Sequence, residues 1–136
     1  MKARVYHVQV NLRDAAVSLP FWKALLGYLE YQLVHEERDV AGYSNGTTDL
    51  WLMATDPAHA GAGFHRKRAG VNHVAFRVER REDVDRFCRE FLDTRGVPTL
   101  YDTPRDFPEY SPGYYAVFFE DPDRIKLEVV HVPPRG

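Results

Sequence analysis

Two stretches whose histidines lie 66 positions apart constrain this chain more than anything else in it: Val5-Tyr-His-Val-Gln-Val-Asn-Leu12 and Gly70-Val-Asn-His-Val-Ala-Phe-Arg-Val78. In the first, Val8, Val10 and Leu12 share one face, and His7, Gln9 and Asn11 the other. In the second, Val74, Phe76 and Val78 oppose His73, Ala75 and Arg77. A period of two is the signature of a strand with one buried face. Each strand is followed by a helix-period segment and then by three strand signals. Phe21 and Phe87 are again 66 positions apart, while Val17 and Val84 differ by 67, which reads as one small insertion. Matched histidines ahead of matched helices mean one unit used twice.

In the first copy, Val17, Phe21 and Leu25 supply the apolar helical stripe, Asp14 a cap and Gly27 a C-terminal stop. Pro20 lacks an N–H, so the segment predicts either a shorter helix capped by Ser18 or, preferably, a helix bent at Pro20. Strands are expected at 29–36, 39–44 and 49–54, with Asn45-Gly46 as a tight turn and 55–68 as a loop. In the second copy, Val84, Phe87, Cys88, Phe91 and Leu92 form the buried helical face, ended by Gly96 and Pro98. Strands are expected at 97–101, 114–119 and 125–132, with a proline-containing loop at 102–113 and a turn at 121–124. The expected architecture is α+β: two tandem βαβββ modules, about 4–54 and 70–132, forming a cupped sheet in a single domain spanning 1–136.

Charge and composition exclude several functions. A net charge of -2 over 136 residues leaves no basic footprint for nucleic acid. No apolar run approaches the roughly 20 residues of a membrane span, and no charged-then-apolar leader opens the chain. The single cysteine, Cys88, cannot form an internal disulfide, so a cytoplasmic location is expected. Its apolar neighbours make it a small buried hydrophobe and not a nucleophile.

The closing strand, Ile125-Lys-Leu-Glu-Val-Val-His-Val132, turns Leu127 and Val129 to the core and Glu128 to the opposite face. His7 and His73 occupy that same face of their own strands. Two imidazoles and a carboxylate are the ligand set of a two-histidine, one-carboxylate centre for Fe(II), which Mn(II), Ni(II) or Zn(II) can also occupy. The competing explanation is that a histidine on the polar face of a strand is simply solvated.

On these residues the sequence resembles the vicinal oxygen chelate superfamily of glyoxalases, extradiol dioxygenases, fosfomycin-modifying enzymes and bleomycin-binding proteins. The markers are His7 with Phe21-Trp22 and Leu26-Gly27, then Asn72-His73-Val74-Ala75-Phe76, then Phe119-Glu-Asp-Pro-Asp123 and Leu127-Glu128. The resemblance implies paired βαβββ modules around one divalent metal, with His7, His73 and Glu128 as ligands. The fourth ligand of glyoxalase I would fall near Trp51, whose indole cannot coordinate. A tyrosine of the extradiol and fosfomycin patterns would fall at Phe118. His131-Val-Pro-Pro-Arg135 is a poor match to the basic tail of the fosfomycin enzymes.

Around that ligand set, Trp51 and Phe118 are candidate walls of a substrate site, and Gln9 a candidate donor to a bound ligand. Glu128 and Tyr114 are the candidate catalytic groups, Tyr114 as a hydrogen-bond donor or general acid. Each has a plainer explanation, as a packing residue or as ordinary sheet composition. The run His65-Arg66-Lys67-Arg68 reads as a solvated loop or as an attractor for an anion. The expected protein is a homodimeric metalloenzyme acting on a small molecule with two adjacent oxygens. The alternative is a metal-free protein that sequesters a drug-like ligand.

Overall fold

The computed structural model describes residues 1–134, which fall into two compact units, 1–64 and from His65 onward. In the first unit the period-two segment forms β1 (His7–Leu12) and the period-3.6 segment α1 (Ala15–Tyr28). β2 (Gln32–Glu37), β3 (Val40–Ser44) and β4 (Asp49–Ala54) complete a sheet ordered β1-β4-β3-β2, with β1 parallel to β4. The second unit repeats the plan with β5 (His73–Val78), α2 (Arg81–Phe87), β6 (Thr99–Asp106), β7 (Tyr115–Glu120) and β8 (Lys126–His131). Its order is β5-β8-β7-β6, with β5 parallel to β8. This is the expected α+β pair of βαβββ modules.

Packing corrects the expected stripe of α1. Val17 is 56% exposed and Phe21 only half-buried; Ser18, Leu19, Trp22, Leu25 and Leu26 face the core. The stripe is therefore turned one residue onward. Ser18, Trp22, Leu25 and Leu26 then align with the buried Val84, Cys88, Phe91 and Leu92 at the same 66-residue offset, so no insertion is needed. Ser18 misled the sequence argument because a small hydroxyl is counted as polar, although here it is fully buried. Pro20 lies inside one continuous helix on its exposed side, which rules out the shorter helix. Only one helical hydrogen bond is lost, where an exposed carbonyl can turn to water.

The two helices also stop in the same way. Gly27 is an ordinary helical residue and not the predicted stop; the left-handed position is Glu30, at φ 64°. Tyr31 N–H donates to Leu26 O (2.9 Å) and Glu30 N–H to Gly27 O (3.1 Å). After α2 the chain continues through a π-turn, Cys88–Leu92, and a 3-10 turn, Asp93–Arg95. There Val97 N–H donates to Leu92 O (3.0 Å), Gly96 N–H to Asp93 O (3.2 Å), and Gly96 takes φ 64°. Both are Schellman closures, 66 positions apart.

A second correction concerns the loop expected at 102–113, because β6 runs through Pro104 to Asp106. Leu100 pairs with Phe118 and Arg105 with Ala116, so five steps along β6 cover two along β7. The surplus bulges out, with Tyr101 (φ 58°) and Asp102 (φ 52°) in the left-handed region and a cis Thr103-Pro104 peptide. Thr103 bridges the gap: its hydroxyl donates to Leu100 O (2.6 Å) and accepts from Phe118 N–H (3.0 Å). A side chain standing in for the ladder is what lets a strand pass a proline.

In each unit the helix packs on one face of the sheet. In the second, Phe87 lies 5.3 Å from Phe119, and the Tyr115 hydroxyl donates to Asp85 Oδ1 (2.5 Å). The opposite, helix-free face of the second sheet was expected to be a non-core face. Instead Phe107, Ala116, Phe118 and Val130 form a second apolar cluster there, joined by Leu100, Tyr114 and Val132. Among the described residues, no helix is long and apolar enough to cross a membrane.

Candidate functional site

The helix-free face of the second unit carries one ionisable group that water barely reaches. Glu128 is 1% exposed, with Phe118 beside it on β7 and Ala75 beside it on β5. A carboxylate in such a place remains charged only if the protein supplies partners. Two are supplied. The Tyr114 hydroxyl donates to Glu128 Oε1, and His73 Nε2 lies 2.9 Å from Oε2. Tyr114 is held in an aromatic group, with its ring 6.0 Å from Phe107 and 5.3 Å from Tyr110. Burial, reinforced by the Glu128 carboxylate, pushes its phenol well above the ordinary range, so Tyr114 stays a donor at any physiological pH.

The orientation of His73 is set by its neighbour in sequence. Asn72 donates through Nδ2 to the carbonyl of Arg66 (3.1 Å), which fixes the amide and leaves Oδ1 facing His73 Nδ1 at 2.8 Å. An acceptor at that point assigns the proton to Nδ1. Nε2 then faces the carboxylate with either a second proton, as imidazolium, or a lone pair directed at a cation between the two. Phe118 packs its edge against the ring at 5.8 Å. An imidazole oriented by a hydrogen bond on the far nitrogen, beside a buried carboxylate, is a donor set that fits a divalent metal.

The first unit places its candidates on the matching face. His7 opens β1, exposed, with its ring edge-on to Tyr6 at 5.5 Å and Asp49 opposite it in the ladder. Trp51, half-buried, lies flat over β3: a Cβ added at Gly42 would meet the indole at 2.8 Å, so only glycine fits there. His35 stands 5.5 Å from the indole. The Gln9 amide lies against the Met53 thioether. Within neither unit, among the described residues, do three His, Cys, Asp or Glu side chains gather as a metal cluster. His73 and Glu128 do meet, and Tyr114 and Phe118 join them.

Three residues at this site were not among the sequence candidates. Asn72 was noticed only as part of a motif, yet it orients His73. Lys126 and Tyr101 reach the same face, with Lys126 Nζ 4.8 Å from the ring centres of Tyr101 and Phe118. The position of Lys126 two residues before Glu128 was a signal in the sequence; Tyr101 gave none, since only the bulge turns it inward. The charged run 65–68 is not uniformly solvated either. Arg66 is 20% exposed and donates to Glu120 Oε2 at 2.6 Å. Beside Tyr114, a cleft of about 640 Å³ opens between Tyr110, Pro112, Gly113 and Pro133. Gly113 is required there, at φ 75° and with Pro133 Cγ 2.6 Å from where a Cβ would stand. Cys88 is buried, and burial pushes its thiol up to about 11, which suits a packing role.

Two four-stranded βαβββ sheets, each with a histidine opening its first strand, and a buried His–Glu pair in the second, define a duplicated-module α+β fold. The sequence profile of the Glyoxalase/Bleomycin resistance protein/Dioxygenase superfamily matches residues 4–129, and the chain belongs to that superfamily. It is 32% identical over 126 residues to the uncharacterized protein YqjT of Bacillus subtilis strain 168, covering 93% of this chain and 97% of the other. Among solved structures, a Bacillus halodurans protein provisionally assigned as a glyoxalase superposes with a TM-score of 0.84 at 39% identity, covering 94% and 95% of the two chains. The fold alone is shared with a lactoylglutathione lyase from Agrobacterium tumefaciens (17% identity, 96% and 95% covered, TM-score 0.69). It is shared equally with TnmS3, an antibiotic-binding protein from Streptomyces sp. CB03234 (17%, 96% of each, 0.63).

Proposed function

We propose that this chain is a divalent-metal enzyme of the vicinal oxygen chelate type, acting on a small molecule that presents two adjacent oxygens. The observation that carries this is the His73–Glu128 pair: a buried carboxylate and an imidazole whose Nδ1 proton is assigned by Asn72, with Nε2 aimed at Oε2. His73 and Glu128 supply two ligands. The third is His7, which holds in the first unit the register that His73 holds in the second. Fe, Mn, Ni or Zn in that site would supply Lewis-acid polarisation of the substrate oxygens. Tyr114 holds a proton over Glu128 and orients its carboxylate. Phe118 keeps water from the far side of His73, and Gln9 and Trp51 form part of the substrate surface. The two modules, about 4–54 and 70–132, work as one domain in the cytoplasm.

A homodimer completes the proposal. Every residue of β2, an edge strand, is exposed, including Leu33 at 48% and Val34 at 56%, and such an edge is a surface that a second copy can cover. Sedimentation at micromolar concentration should give a dimer. Mixing His7→Ala with Glu128→Ala chains regains binding only if ligands are shared between copies.

One observation favours the binding-module alternative: both Glu128 oxygens already have partners within the chain. The deciding experiment is titration of metal-free protein with Fe(II), Mn(II), Ni(II) and Zn(II). The expected result is stoichiometric binding of at least one ion, weakened more than about 100-fold by Glu128→Ala with circular dichroism unchanged, since removing a direct ligand exceeds the ~10–100-fold cost of an outer-shell loss. Wild-type protein that binds none of the four ions would turn the assignment to a metal-free sequestering protein.

A further inference from the structure

Among the described residues, Lys126 on the helix-free face of the second unit makes no ion pair with a carboxylate. Lys126 precedes Glu128 by two residues on β8, so both point to the same face, with Cα atoms about 7 Å apart. It stands opposite His73 in the parallel ladder and opposite Glu120 in the antiparallel one. Glu120 is the obvious partner, but its Oε2 is taken by Arg66 at 2.6 Å and Arg124 at 3.4 Å. The Glu120 hydrogen bond in turn holds the Arg66 guanidinium above its usual range, with a smaller contribution from Tyr101. Among the described residues Lys126 therefore has no ion pair; its ammonium lies 4.8 Å from the ring centres of both Tyr101 and Phe118. Aromatic faces attract a cation without accepting its N–H bonds in line, so its donors remain available.

The second ring is there against the backbone's preference. Tyr101 and Asp102 both adopt positive φ, 58° and 52°, a region disfavoured for a residue with a Cβ. The bulge thus directs an exposed tyrosine (49%) onto the lysine, and its ring meets Phe118 edge-on at 5.5 Å. Phe118 also contacts His73, with ring centres 5.8 Å apart. A cation with free donors, two flat apolar rings and the imidazole–carboxylate pair form one continuous surface.

We propose that Lys126 anchors the substrate of this site: it engages an oxyanion, carboxylate or phosphate, on a small molecule whose flat body lies against Tyr101 and Phe118. This rests on the metal-site assignment for the chemistry, but the anchoring itself can be tested without metal. Metal-free protein is titrated calorimetrically with benzoate, phenyl phosphate and benzyl alcohol; the two anions separate carboxylate from phosphate recognition, and the alcohol reports the ring alone. At least one anion should bind about tenfold or more tightly than the alcohol. Lys126→Met should remove that preference without changing alcohol binding, and Lys126→Arg should restore it, since a charge-assisted hydrogen bond is worth roughly tenfold or more. Lys126→Gln serves if the methionine variant does not fold.

Equal binding of anion and alcohol by wild type, or an unchanged preference in Lys126→Met, overturns the proposal. Mn(II) titration of the same proteins separates it from the metal assignment. Loss of anion preference with Mn(II) affinity unchanged supports both. Anion preference in a wild type that binds none of the four divalent ions leaves Lys126 as the anchor of a binding protein.

Discussion

The two units place different chemistry on one backbone, and a single row of each sheet shows how. In the first, Gln9, Trp51 and Gly42 stand side by side across β1, β4 and β3. In the second, Ala75, Glu128 and Phe118 stand side by side across β5, β8 and β7. Each row holds one large aromatic side chain. In the first unit it sits on the central strand and lies over a glycine. In the second it has moved to the neighbouring strand, which leaves the central position to a carboxylate walled in by Phe118 and Tyr114. A duplicated sheet can thus keep its packing volume while changing what it offers to a ligand: an indole surface in one copy, a buried acid in the other.

The comparison can be broken at three points. The largest effect is expected at Asn72. If Asn72 orients His73 as described, Asn72→Ala should weaken Mn(II) binding by roughly 10–100-fold, and Asn72→Asp should recover most of it because the acceptor is retained. Calorimetric titration measures this; an unaffected alanine variant would mean that the Asn72 contact does not prepare the imidazole. The next concerns the first row. Gly42→Ala forces the Trp51 indole from its place and should cost about 1–2 kcal/mol in urea unfolding. Adding Trp51→Leu should remove most of that penalty, a coupling that independent sites would not show. The smallest lies in the helix stops. Glu30→Gly should raise stability by about 0.5–1 kcal/mol, while Gly96→Ala lowers it by about 1 kcal/mol, because both positions demand left-handed backbone. Stability unchanged by Glu30→Gly would sever the parallel between the two closures.

Much of this was legible in the chain itself. Period-two alternation around His7 and His73, helical periodicity after each, and the 66-residue spacing of the two histidines determine the order of elements and their duplication, because strand and helix periods are local properties of a sequence. Alternation also assigned Glu128 and Tyr114 to the face of Phe118. The choice of buried stripe on α1 was not local. It depended on a serine small enough to pack against the sheet, so Val17 took the place that Ser18 holds.

The site itself was decided by tertiary structure. That Glu128 is buried follows from Phe107, Tyr114 and Phe118 closing over a face that alternation alone read as non-core. The tautomer of His73 depends on an amide fixed by the carbonyl of Arg66, six residues earlier. That Lys126 has no ion pair among the described residues depends on Arg66 claiming Glu120 across 54 positions of sequence, and the approach of Tyr101 on a bulge closed by the Thr103 hydroxyl. The sequence determined which faces the donors share, through periods that each segment carries alone. Their partners, burial and protonation arise only when segments far apart in the chain compete for the same few atoms.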